Sequence, residues 1–226
     1  MDNLVESQER CPQSILGCPV IDEVRRLKQE VEKLQELSRT DPLTGYFNLR
    51  HMLEALEGEM ERTRRTGLST SLIMIDLDYF KRVNDVYGHE FGNKALKWAC
   101  NIWRAEIRRI DIPCRYGGEE FAIVLPGTRL PQSIKAAERL RIALEGSPIG
   151  FNDKQVTLTA SFGVDVYRGG EDLSVEGFIE RTDYFLLEAK AKGRNNVRYS
   201  EGKTSEVQTE VTEEEREALF SNSREK

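Results

Sequence analysis

No stretch of this chain is long and apolar enough to cross a bilayer as a helix. The longest apolar runs, Leu72 to Ile75 and Phe121 to Leu125, are strand-sized, far short of the ~18 residues a span needs. The opening Met1-Asp2-Asn3-Leu4 puts no charged lead before an apolar stretch, so no secretory signal is expected and a cytoplasmic location is. A basic surplus is missing too: 33 Lys and Arg stand against 39 Asp and Glu, a net charge of −6. A general nucleic-acid binder carries the opposite balance, although a nucleotide pocket needs only a few local cations. Cysteine is scarce. Cys11, Cys18, Cys100 and Cys114 form no C-x-x-C and no matching His pair accompanies them, so neither a disulfide framework nor a Cys/His metal site is expected. No internal repeat is visible.

What remains is a 226-residue chain, 38% hydrophobic and 32% charged. That suits one domain with attachments and a real core under a polar surface. Residues 1–19, with Pro12, Gly17 and Pro19, read as a leader that is disordered. From 20 to 39, Val20, Val24, Leu27, Val31 and Leu34 recur at alternating spacings of four and three, which predicts an amphipathic helix with a short coiled-coil seam. Thr40-Asp41-Pro42 breaks it, and a domain spans 40–200. There the pattern predicts helices at Leu53–Thr66, Phe91–Arg108, Ser133–Leu144 and Ser174–Lys192. Strands are expected at Leu72–Asp76, Val156–Val166 and Val197–Tyr199. Pro113–Tyr116 and Glu119–Leu125 read as a β-hairpin around Gly117-Gly118. Because the hairpin is antiparallel among alternating strands and helices, the class is α+β with a mixed central sheet flanked by helices. The charged stretch 201–226 reads as a flexible tail, with one capped turn at Thr212 and Glu215 leading into Leu219-Phe220.

Two segments carry chemistry. In Asp76-Leu77-Asp78-Tyr79-Phe80-Lys81, carboxylates leave the end of an apolar strand, where a cation between them offsets their repulsion. Hard divalent ions take such oxygens together with substrate phosphates, and Lys81 adds charge for a phosphate. In Tyr116-Gly117-Gly118-Glu119-Glu120-Phe121, two glycines permit a tight turn and close approach to a ligand, with a carboxylate directly after it. The alternatives are a solvated acidic loop and a surface hairpin.

These segments resemble the GGDEF family of diguanylate cyclases, in its GGEEF form. Thr40-Asp41-Pro42-Leu43-Thr44-Gly45 resembles the family's opening segment. Asn84-Asp85 and Gly88-His89 continue its metal and nucleotide segment, and Ala189-Lys190-Ala191-Lys192-Gly193-Arg194-Asn195 resembles its closing helix. The resemblance implies a fold like the palm of adenylyl cyclases and condensation of two GTP to cyclic di-GMP in a homodimer. It implies Mg²⁺ or Mn²⁺, two per active site, with Asp76, Glu119 and Glu120 as metal and catalytic carboxylates and the Leu77 carbonyl as a further ligand. Glu119 is the implied destination of the 3′-hydroxyl proton. Phe80 through its main chain, Lys81 and Gly118 would meet the nucleotide, and Asn84 and Asn93 its base. Lys190 and Arg194, taken as one helix face, would hold the terminal phosphate, with Lys192 off that face. Arg108 and Asp111 match an R-x-x-D inhibitory site that binds the product. The short helix before the domain is the expected control point, where a regulatory protein would act.

One departure bears on specificity. The family's usual Asp is Asn93 here. An amide has one acceptor where a carboxylate has several, so it suits a guanine edge less well and admits ATP and a cyclic GMP–AMP product as an alternative. Tyr46, Leu49 and Leu187 are milder departures. A silent cyclic di-GMP receptor is the other alternative, and a scaffold that binds no nucleotide is a third.

Overall fold

The computed structural model describes residues 22–30, 39–152 and 154–200. The leader at 1–19, the seam positions Val20, Val31 and Leu34, and the tail at 201–226 lie outside the described residues. Residues 22–30 are helical and exposed. Val24 and Leu27 of the seam are 37% and 46% exposed.

From residue 39 onward the chain alternates helices and strands. The elements are α1 (Leu49–Thr66), β1 (Thr70–Leu77), α2 (Phe80–Tyr87), α3 (His89–Glu106), β2 (Ile112–Gly117), β3 (Glu120–Leu125) and α4 (Leu130–Glu145), then β4 (Ile149–Phe151), β5 (Lys154–Val156), β6 (Ala160–Tyr167), α5 (Val175–Ala191) and β7 (Val197–Tyr199). Five strands form one sheet in the order β2-β3-β1-β6-β7, and β4-β5 form a separate hairpin. All pairs in the sheet are antiparallel except β6 with β7. The sheet is mixed and flanked by helices, as the α+β reading expects.

The central strands look continuously apolar because both faces are covered. Along β1, Ile73, Ile75 and Leu77 face one core with Trp103, Phe121 and Phe162, under α3 and α4. Leu72 and Met74 face the other, with Met52, Leu56, Phe178 and Leu186 under α1 and α5. This is the period-two alternation of a strand. Trp103 is fully buried, and its indole N–H donates to the Leu140 carbonyl at 3.2 Å. Tyr46 is also core, with its hydroxyl donating to the Cys100 carbonyl at 2.8 Å. Burial pushes the Cys100 and Cys114 thiols up to about 12, which leaves them protonated and inert.

Several boundaries and elements differ from the sequence reading. The first helix begins at Leu49 because Asn48 caps it, accepting from the His51 N–H at 3.0 Å. The helix read to Arg108 stops at Glu106, because Ile107 turns extended. The single strand read over Val156–Val166 is two strands separated by residues 157–159. The helix α2 went unread. Its eight residues are half buried, too few turns for a periodic signal to stand out.

Candidate active site

The antiparallel register of β1 and β3 sets Asp76 directly opposite Glu120. The Leu77 N–H donates to the Glu119 carbonyl at 3.3 Å. The end of a buried strand and the start of a hairpin strand therefore meet as one acidic corner. From α5, Lys190 brings its ammonium to 2.7 Å from Asp76 Oδ2. Burial raises the Asp76 pKa above the usual carboxylate range, with the Lys190 ammonium opposing it. Burial also raises Glu119 and Glu120, and the Asp76 charge pushes each further. Asp183 of α5 adds negative charge beside Glu120. One lysine thus faces Asp76, Glu119 and Glu120, each held in an environment that disfavours its ionised form.

That donor set fits a hard divalent cation, which would relieve the repulsion. Among the described residues no three Asp, Glu, His or Cys side chains close into a ready-made cage. Mg²⁺ characteristically takes one or two carboxylates and completes its shell with water and phosphate oxygens. The corner matches that mode rather than an all-protein cage.

Asp78 corrects the physical reading of a carboxylate pair on a metal. It is 7% exposed and already saturated. Ser161 Oγ–H donates to it at 2.7 Å, Thr159 Oγ1–H at 2.9 Å and the Asn195 N–H at 3.0 Å. It ties the end of β1 to the start of β6 and to the segment after α5.

The chain leaves Asp78 through Tyr79, whose φ of 55° is left-handed, and α2 starts at once. The first N–H groups of a helix have no intrahelical acceptor, so Phe80 and Lys81 offer theirs outward. The Phe80 ring is 5% exposed and packs in the core, leaving only its main chain for a ligand. Lys81 is exposed. Arg194 is a second correction. The helix α5 ends at Ala191, and Gly193 and Arg194 take φ of 102° and 62°. Lys190 and Arg194 therefore do not share a helix face. The Arg194 guanidinium instead lies 4.6 Å from the Tyr79 ring centroid, on the same side as the α2 N-terminus. Lys192 caps α5 and is exposed.

Asn84 of α2 and Asn93 of α3 flank the corner between those helices. Asn84 is half buried and Asn93 exposed. Gly118 makes the hairpin turn with φ of 48°. Sequence reasoning missed what holds that turn. Arg115 donates to the Gly118 carbonyl from Nε at 3.0 Å and Nη2 at 2.8 Å, and its Nη1 donates to Asp41 Oδ2 at 3.1 Å. Asp41 Oδ1 also accepts from Thr44 N–H at 2.8 Å and Oγ1–H at 2.6 Å. Burial works against the Asp41 charge, but the Thr44 hydrogen bonds and Arg115 outweigh it and lower its pKa. The entry loop is thereby strapped to the Gly117-Gly118 hairpin. Phe47 completes the strap by bridging to β2. Asp183 was missed as well, and its position two helical turns before Lys190, on the same face, was the available signal.

Arg108 and Asp111 stand apart from this corner. Asp111 Oδ2 accepts from the Arg108 N–H at 2.8 Å, and the Asp111 N–H donates to the Arg108 carbonyl at 3.1 Å. Asp111 is 8% exposed, and burial raises its pKa. Its Oδ1 is buried without a hydrogen-bond partner among the described residues, while Arg108 is exposed. Half the carboxylate closes a turn and half is unused.

The family model described as diguanylate cyclase, GGDEF domain, matches residues 38–196. The response regulator PleD of Caulobacter vibrioides is 37% identical over 173 residues, covering 76% of this chain and 38% of PleD. This chain therefore spans well under half of that relative. Among solved structures, diguanylate cyclase SiaD of Pseudomonas aeruginosa, in complex with its activator SiaC, aligns with a TM-score of 0.69 at 36% identity over 80% of this chain and 70% of SiaD. The coiled coil and GGDEF domain of DgcB from Caulobacter crescentus, in complex with c-di-GMP, aligns with a TM-score of 0.68 at 25% identity over 80% of this chain and 96% of that one.

Proposed function

The chain belongs to the GGDEF family of diguanylate cyclases, and on that premise we propose that it condenses two GTP to cyclic di-GMP at the interface of a homodimer. The observation that carries this is the corner itself: Asp76, Glu119 and Glu120 converge with Lys190, beside the free N–H groups and cation of Phe80, Lys81 and Arg194. Asp76, Glu119, Glu120 and the Leu77 carbonyl would hold Mg²⁺ or Mn²⁺, two per site. Bound there, the metal would neutralise the triphosphate and acidify the attacking hydroxyl.

The chain's own residues supply position and charge. Lys190 leaves Asp76 for the terminal phosphate, joined by Lys81 and Arg194. Gly118 lets the hairpin backbone approach the nucleotide, with Arg115 holding the turn rigid. Two protomers facing across a two-fold axis bring each 3′-hydroxyl to the α-phosphate held by the other. One 3′-oxygen–phosphorus bond forms as the bond from that phosphorus to the β-phosphate oxygen breaks, and pyrophosphate leaves. Glu119 receives the 3′-hydroxyl proton. Its raised pKa makes it a better base once ionised. Most of the rate gain is positioning and charge stabilisation.

Asn84 meets the guanine, and Asn93 relaxes the choice enough to keep a cyclic GMP–AMP side product in view. Arg108 with the unused Oδ1 of Asp111 forms the product-inhibition site. The same half-used carboxylate favours the receptor reading should turnover be absent. The heptad-patterned segment at 20–39 would set dimerisation, and a regulatory protein would act there. No helix among the described residues is long and apolar enough to cross a membrane, and a GTP-consuming reaction belongs in the cytoplasm.

Product analysis by mass spectrometry tests the proposal. Purified dimer freed of bound product, given Mg²⁺ with equal GTP and ATP, should yield cyclic di-GMP as the main product. A substantial cyclic GMP–AMP fraction would move specificity to Asn93. No cyclic dinucleotide would move the weight to the receptor role.

A further inference from the structure

We infer that Gly92 is a positioning residue for the nucleotide base, acting through Asn84. The inference rests on the reading that Asn84 meets the base. A Cβ built on Gly92 would lie 1.9 Å from Asn84 Oδ1, 3.0 Å from its Cγ and 3.4 Å from the tip of the Phe80 ring. Outside the glycine's chain neighbours and its own helix backbone, the nearest atoms are all side-chain atoms of α2. The Asn84 carboxamide therefore lies directly on the bare backbone of α3.

Among the described residues no hydrogen bond fixes that carboxamide. The Asn84 main-chain carbonyl accepts from the Gly88 N–H at 2.8 Å, but its side chain forms no hydrogen bond among the described residues. Its orientation is set by shape. A donor and an acceptor left unpartnered at a half-buried position are available to a base edge.

The corner that presents it is rigid. The rings of Tyr87, Phe91 and Phe151 pack mutually, with centroids 5.1, 5.2 and 4.8 Å apart. This cluster pins the end of α2 and the start of α3 to the β4-β5 hairpin. A methyl group at position 92 therefore displaces the free end of the Asn84 side chain rather than the helices. Alanine is also the better helix former, so the fold does not suffer. The effect falls on the base contact, while the metal corner and phosphate groups stay as they are. Asn93, the next residue, is exposed.

The test is a double-substitution cycle of Gly92→Ala and Asn84→Ala, read by binding of a fluorescent GTP analogue, by KM and kcat for GTP, and by thermal melting. We expect Gly92→Ala to weaken binding and raise KM by about ten-fold, the scale of one lost hydrogen-bonding contact. The kcat and the melting temperature should stay near those of the unsubstituted protein. In the Asn84→Ala background, adding Gly92→Ala should change KM by less than about two-fold. An unchanged KM in Gly92→Ala, an equal increase in both backgrounds, or a large fall in melting temperature would each overturn the inference. Binding is read without turnover, so the two proposals fail separately. An intact cycle without product refutes the chemistry alone, and product without the cycle refutes the role of Gly92 alone.

Discussion

Asp76 and Asp78 leave the same strand end two residues apart, and their surroundings are opposite. Asp78 is buried with three donors from β6 and its approach and from the segment after α5. Asp76 has one lysine and two neighbouring glutamates, and burial raises its pKa. The first is a knot in the fold. The second is held in an unfavourable state that a bound cation would relieve. A carboxylate's role here follows from whether the protein has already supplied its donors.

The sharpest way to break the comparison is to remove each charge in turn. Asp76→Asn should lower cyclic di-GMP formation by about 10³-fold, with the melting temperature equal or higher, since the folded protein disfavours the charge it loses. Product assays and a thermal melt on one sample check both halves. Asp78→Ala should do the reverse, removing about 3–5 kcal/mol of stability by leaving three donors unpaired. Denaturant unfolding reads this directly, and a near-neutral result would dissolve the distinction.

A smaller effect is expected at the strap. Arg115→Ala frees the Gly118 carbonyl and Asp41 together. It should remove about 1–3 kcal/mol and lower kcat roughly ten-fold through a looser turn. Equal kcat in the two proteins would make the strap purely structural.

The smallest test sets pH against charge. Asp76, Glu119 and Glu120 have raised folded pKa values, so each binds its proton more tightly folded than unfolded. Their contribution to stability is present below the ordinary carboxylate pKa and is lost as pH rises through the folded values. Asp41 has a lowered folded pKa, so its contribution is present above the ordinary value and lost as pH falls through the folded one. Glu120→Gln should therefore raise the metal-free melting temperature near pH 7 but not near pH 4, and Asp41→Asn should lower it near pH 7. Opposite signs in melts across that range would overturn the assignment of these carboxylates.

Much of this was legible in the chain. Short continuous apolar runs marked β1 and β3, paired glycines marked the hairpin, and four ordered motifs marked the family and the residues at its corner. α2 was not legible, because eight half-buried residues carry little period. Nor was the break at residues 157–159, which divides a run of strand-forming residues at a point only pairing defines. Local pattern by itself determined the elements, their order and the chemistry-bearing residue types, because those depend on neighbours a few positions away. Only the tertiary structure decided that Asp78 is spent on Thr159, Ser161 and Asn195, that Arg194 turns out of α5 onto Tyr79, and that Arg115 joins Asp41 to Gly118. Each of those rests on a partner about seventy or more residues distant, except the Gly118 contact, and strand register and helix ends choose among the many partners that composition would allow.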